Sequence, residues 1–124
     1  MSGINLKAGT DTPRVEFDYE NGTFEISGRS IPENVHDFFE PILTSVSTYF
    51  DNPQTISDFT FKLDFLNSAS SKIIQDLFQI LKNQIDKGVK IKINWFYRFD
   101  DEDMKDLGDD LKEDFQIPME FIVF

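Results

Sequence analysis

Few residues of this 124-residue chain have types and spacings suited to chemistry, and the densest group is Asn67-Ser68-Ala69-Ser70-Ser71-Lys72. It stands just ahead of a run with helical periodicity. Asparagine and serine there are helix caps in the plain reading, because their oxygens accept from first-turn N–H groups that lack a partner inside the helix. The functional reading is a phosphorylation switch. A phosphoserine adds about −1.5 to −2 charge and three acceptor oxygens. A helix N-terminus accommodates that group, and Lys72 can assist. The fold would survive the modification while the surface offered to a partner changes; an acidic partner docked on neutral Ser68 would be repelled by a phosphate. Ser68 is the first candidate acceptor, with Ser70 and Ser71 as rivals.

The other candidates are thinner. The acidic run Asp100-Asp101-Glu102-Asp103, with Asp109 and Asp110, suggests a metal, yet it lacks the alternate-residue ligands and the glycine of a calcium loop. It reads more simply as a negatively charged helix start. His36 is the single histidine and has no partner in sequence to make it a catalyst. There is no G-x-S-x-G elbow, no G-x-G-x-x-G and no phosphate-binding Walker loop. Without cysteine, thiolate zinc sites, disulfides and cysteine nucleophiles are excluded. The expectation is a non-enzyme with no catalytic residues, no metal and no cofactor.

Charge points the same way. Twelve basic residues against twenty-three acidic ones give a net charge of −11. Such a surface repels nucleic acid and anionic membranes, so neither is expected as a partner. No apolar run approaches the length of a membrane span, and Met1 to Leu6 lacks the apolar core of a secretory signal. A cytoplasmic protein is expected.

The elements that must position the serines follow from periodicity. Residues 1–124 read as a single domain whose first eleven residues either fray or add a short edge strand through Ile4 and Leu6. Val15, Phe17 and Tyr19 alternate with polar residues, Asn21-Gly22 suits a type I′ turn, and Phe24 and Ile26 begin a second strand ending near Gly28. Pro32-Glu33 opens a helix carrying Val35, Phe38, Phe39, Ile42, Leu43, Val46, Tyr49 and Phe50, with Pro41 expected to kink it. Phe59, Phe61, Leu63 and Phe65 alternate as a third strand, with Leu66 on the other face. Ile73, Ile74, Leu77, Phe78, Ile80, Leu81 and Ile85 form the apolar face of the helix after the serines, and Gly88 suits its left-handed cap. Val89 to Tyr97 form a fourth strand. A third helix carries Met104, Leu107, Leu111 and Phe115, and Met119 to Phe124 close as a strand. The order β-β-α-β-α-β-α-β predicts an α/β mixed sheet of about five strands, with three helices mainly on one face. Fourteen phenylalanines supply much of the core.

Together these residues resemble a known family. Strand, Asn-Ser-x-Ser-Ser-Lys, then amphipathic helix is similar to the switch region of STAS domains, the anti-sigma-factor-antagonist fold. The closer resemblance is to the SiaC family of bacterial regulatory phosphoproteins. It is carried by Thr12 to Asp18 with Gly28 to Asn34, by Asn67 to Lys72, and by Asn94 to Tyr97 with Asp100 to Met104. The resemblance implies a STAS-like fold with a phosphoacceptor at the head of the second helix. It also implies a dedicated kinase, a PP2C-type phosphatase and, in the unmodified state, activation of a diguanylate cyclase, raising cyclic di-GMP and promoting aggregation or biofilm. The family's usual acceptor is a threonine after the asparagine; that position is Ser68 here. Asn67, Ser70, Ser71 and Lys72 would shape the switch loop. Two alternatives stand beside this reading. One is a small-molecule or lipid-binding module with a cavity lined by Trp95, Tyr97 and Phe99. The other is a metal-dependent enzyme built on Asp100, Asp101 and Asp103.

Overall fold

The computed structural model describes residues 3–124. In β2 (Arg14–Asp18) Val15 and Phe17 are buried, and in β3 (Thr23–Ser30) Phe24 and Ile26 are buried. The two strands pair antiparallel with Phe17 opposite Phe24, the rings edge to face at 5.0 Å. Their connection is the four residues Tyr19 to Gly22, not the expected two-residue type I′ turn. That turn needs positive φ at both central residues, and only Gly22, at 66°, has it. Asn21 is drawn back by the Asp18 carboxylate, which accepts from its backbone N–H at 3.2 Å and its side-chain amide at 2.7 Å.

A further strand, β1 (Gly3–Leu6), pairs antiparallel with β2 and sets Ile4 against Phe17. Residues 3–6 therefore take the edge-strand alternative, while Met1 and Ser2 lie outside the described residues. The remaining strands are β4 (Ser57–Leu66), β5 (Ile91–Tyr97) and β6 (Glu120–Val123), reached through α1 (Val35–Tyr49), α2 (Ser68–Asp86) and α3 (Glu102–Phe115). The sheet has six strands rather than about five, in the order β1-β2-β3-β4-β5-β6, and every neighbour from β3 onward is parallel. Each of the three parallel connections runs through a helix to the adjacent strand, and crossovers of the usual single hand put all three helices on one face. Burial agrees: Phe59, Phe61, Leu63, Ile93 and Trp95 are covered, while the alternating Lys62 and Lys92 face the uncovered side.

The register is broken once. Gly28 pairs with Leu63 but Arg29 pairs with Phe65, so Asp64 is an extra residue in β4. An inserted residue reverses which side chains face the core. Phe65, expected inward, is consequently 52% exposed, and Leu66 turns toward the core. Gly28, at φ 93°, supplies the backbone freedom beside this bulge.

The helices start where a side chain can cap them. α1 begins three residues after Pro32, because Asn34 accepts from the Asp37 N–H at 3.2 Å. It runs unbroken through Pro41, whose surroundings face solvent. α2 ends with Gly88 at φ 97°, the left-handed position expected of it. α3 is capped by Asp101, which accepts from the Met104 N–H at 3.0 Å, and ends on Gln116 at φ 52°. It crosses the sheet so closely that a Cβ on Gly108 would meet the Trp95 ring at 2.6 Å.

Candidate functional site

The chain leaves β4 at Leu66 and enters α2 at Ser68, so Asn67 is the hinge residue between a sheet strand and a 19-residue helix. Its backbone is extended, and three of its polar groups are engaged. Its N–H donates to the Ser30 carbonyl at 3.2 Å, which ties the helix start to the end of β3. Its side-chain oxygen accepts from the Ser70 N–H at 2.8 Å, and its carbonyl from the Ser71 N–H at 2.9 Å. Ser68 and Ala69 are both exposed, and their N–H groups precede the first bonds of the helix ladder.

The three candidate hydroxyls fall into different surroundings. Ser68, first residue of α2, is exposed. Ser70 is 0% exposed, and its Oγ lies 2.9 Å from the Ser30 Oγ, so its hydroxyl is bonded inside the protein. Ser71 is half-buried and lines a groove of about 220 Å³ between the starts of α2 and α3. Leu66, Met104 and Leu107 give that groove apolar walls, with Asp64, Asp101 and Asp103 also lining it. Lys72, one turn beyond Ser68, is exposed and enters no ion pair among the described residues. Access separates the rivals: Ser68 is exposed, whereas Ser70 can be reached only by opening the helix start.

Two features of this site were not foreseen. Phe65 stands exposed beside the helix start because of the bulge at Asp64, and Ser30 anchors both Asn67 and Ser70. A glycine inside a strand, Gly28, was the available signal for a bulge. Nothing in the spacing pointed to Ser30, whose partner lies forty residues away.

The other candidate residues are not assembled into a site. Asp101 spends its carboxylate on the cap of α3, and Asp100 and Asp103 face outward. Among the described residues no group of three His, Asp or Glu side chains is placed to hold one ion. His36 is exposed on α1. Trp95 is fully buried between Phe61 and Phe78 and donates its indole N–H to the Met104 carbonyl at 3.0 Å. Phe99 is 82% exposed, and Trp95, Tyr97 and Phe99 do not share a cavity in the described residues. This arrangement counts against the small-molecule alternative. The Asn21 side chain, then its backbone, holds the Asp18 carboxyl below its usual range. Burial pushes the Tyr19 phenol up, although its bond to Ser45 opposes this. The carboxylate of Asp109 raises Lys105.

A mixed sheet with three helices on one face is the α/β architecture that the resemblance implied. The comparison with family models is more specific: residues 6–124 match the model described as SiaC family regulatory phosphoprotein. The chain belongs to the SiaC family. It is 25% identical over 118 residues to an uncharacterized protein of Pseudomonas aeruginosa (strain UCBPP-PA14), covering 95% of this chain and 94% of that one. Among solved structures it is similar to apo-SiaC from Pseudomonas aeruginosa, with a TM-score of 0.90, 24% identity, and coverage of 99% and 100% of the two chains. A second similar structure is that of the diguanylate cyclase SiaD in complex with its activator SiaC, from the same organism. There the TM-score is 0.91, with 22% identity and coverage of 98% and 99%. No helix among the described residues is long and apolar enough to cross a membrane.

Proposed function

We propose that this protein is a regulatory phosphoprotein that acts by binding partners rather than by catalysis, and that reversible phosphorylation of Ser68 switches that binding. The observation that carries the reading is the position of Ser68: an exposed serine on the first residue of a long helix, where first-turn N–H groups lack partners within the helix, three residues after the exposed Phe65. A phosphate there gains from the helix dipole and from Lys72, so the fold tolerates it. A partner covering Phe65 and the neighbouring groove would have to desolvate that dianion, which opposes binding. Asn67 and Ser70 hold the loop in shape, and Ser71 lines the groove.

The downstream partner of this reading is a diguanylate cyclase. SiaC is the activator of such an enzyme in the similar complex, and the fold is the same to within the TM-score given. A dedicated kinase and a PP2C-type phosphatase complete the cycle in the cytoplasm, where ATP and cyclic di-GMP are made. The test has two arms. Incubation with the cognate kinase and Mg-ATP should add one phosphate by intact mass, and Ser68→Ala should abolish the addition; full uptake by Ser68→Ala would show the acceptor to be elsewhere. Unmodified protein should stimulate the cognate cyclase in a cyclic di-GMP synthesis assay and phosphorylated protein should not. Equal stimulation by both forms would remove the switch.

A further inference from the structure

The groove between the starts of α2 and α3 is apolar in its walls and of one sign in its charge. Met104 is buried, Leu66 and Leu107 are half-buried, and the exposed Phe65 also lines it. With Ser71, Asp64, Asp101 and Asp103 complete the lining, and no lysine or arginine contributes among the described residues. The cations that flank it along the chain are held elsewhere. Arg98 lies 4.4 Å over the Phe124 ring and pairs with Asp64 at 2.9 Å. Lys105 pairs with Asp109 at 2.7 Å, and its Nζ is 4.8 Å from the Phe121 centroid.

The three carboxylates differ in what they have left to offer. Asp64 already carries Arg98, and Asp101 accepts the Met104 N–H at 3.0 Å. Asp103 is exposed and enters no ion pair among the described residues. Its place in the first turn of α3 suits the helix dipole but gives it no cation. A slot of about 220 Å³ holds one long side chain, whereas a packed helix is about 10–12 Å across. A glutamate entering it would meet like charges. A wholly apolar side chain would bring a partner over Asp103 and strip its water without supplying a counter-charge. A side chain with an apolar stem and a cationic head satisfies both the walls and the rim. Arginine does so better than lysine, because its planar guanidinium donates to more than one carboxylate oxygen at once and is more weakly hydrated.

We propose that this groove seats an arginine of the partner protein, its methylenes along Leu66, Met104 and Leu107 and its guanidinium on Asp103. The seat belongs to the partner-binding surface proposed above at the start of α2 and rests on that reading. Ser68 itself does not line the groove. A phosphate on it would offer the same guanidinium a second anion outside the slot, so the seat is filled in the unmodified state.

The probes are three capped pentapeptides, Ala-Leu-Xaa-Leu-Ala, in which Xaa is arginine, norleucine or glutamate. Each is titrated into the unmodified protein and followed by amide NMR shifts. The shifts should gather at Leu66, Ser71, Met104 and Leu107, and the arginine peptide should bind at least about tenfold more tightly than the other two. Asp103→Asn should weaken the arginine peptide at least about fivefold and leave the norleucine peptide unchanged. Unchanged amide positions away from the groove would show that the variant is folded. In the cyclic di-GMP synthesis assay, Asp103→Asn should raise the concentration needed for half-maximal stimulation of the cognate cyclase by about fivefold or more. Ser68 of that variant should take up phosphate as fully as in the unsubstituted protein. The seat is overturned if no peptide binds, if norleucine or glutamate binds as tightly as arginine, or if Asp103→Asn binds the arginine peptide equally well. Shifts confined to the uncovered sheet face would overturn it too. Failure of the switch reads differently: equal stimulation by phosphorylated and unmodified protein removes the role of Ser68 and leaves the arginine preference of the groove in place.

Discussion

Replacing either member of the Ser30–Ser70 pair tests the account of how the helix start is held. Both residues are fully buried and their oxygens are 2.9 Å apart. Ser70→Ala alone leaves the Ser30 hydroxyl in the interior with no partner, and Ser30→Ala does the converse. An orphaned buried polar group costs about 1–3 kcal/mol. Alanine recovers a few tenths of a kcal/mol of helix propensity at position 70, so each single variant should lose about 1–2 kcal/mol. The double variant removes both hydroxyls and leaves none orphaned. Additivity would make it about 2–4 kcal/mol less stable; the structure predicts a loss no greater than that of one single variant, and hence a coupling of about 1–2 kcal/mol. Urea unfolding followed by the fluorescence of Trp95, the only tryptophan, resolves this. At a slope of roughly 1–3 kcal/mol per molar urea, each single variant moves the midpoint by about 0.3–2 M. A double variant whose loss equals the sum of the singles would refute the latch. Ser68→Ala, on the exposed side of the same turn, should move the midpoint by no more than about 0.5 kcal/mol equivalent.

Three further expectations follow. Gly108→Ala places a Cβ 2.6 Å from the Trp95 ring and 2.8 Å from that of Phe121; overpacking of about 1–3 kcal/mol outweighs the roughly 1 kcal/mol gained in helix propensity, so calorimetry should show a lower Tm, and a raised one would mean that α3 sits farther from the sheet. Phe65→Ser removes exposed ring surface and should leave the unfolding midpoint nearly unchanged while weakening activation of the cognate cyclase several-fold; undiminished activation would place the contact elsewhere. The Asp18 carboxyl titrates below its usual range because the Asn21 side chain, then its backbone, favours the ionised form. Its contribution is therefore present above the unfolded value and lost as pH falls through the lower folded one; Asp18→Asn should flatten that acid-side portion of a stability-against-pH curve, and an unchanged curve would discount the bond.

Much of this architecture was readable from alternation. Phe17, Phe24, Phe61 and Ile93 sit inward because period-two burial against one layer of helices leaves no other solution. Gly88 and Asp101 cap as their types require. What escaped the sequence was set by contacts distant along the chain or by single hydrogen bonds. Ile4 and Leu6 left β1 as one of two alternatives, because the strand depends on finding β2. The Asn21-Gly22 turn lost to a bond from Asp18, and the start of α1 moved because Asn34 caps better than Pro32 begins. At the site, Asn67 and the exposure of Ser68 were legible from helix-capping preferences. The burial of Ser70 was not, because it depends on Ser30, and Phe65 faces outward only through a one-residue insertion whose trace in the sequence is Gly28.

The agreement between strand order and chain order bears on how the protein is made. Each new strand adds at the free edge next to the one synthesised before it, so no strand must be threaded between two that have already joined. As the chain emerges from the ribosome, the amino-terminal hairpin can form first and each helix–strand unit can then dock in turn, until the four-residue β6 completes the sheet.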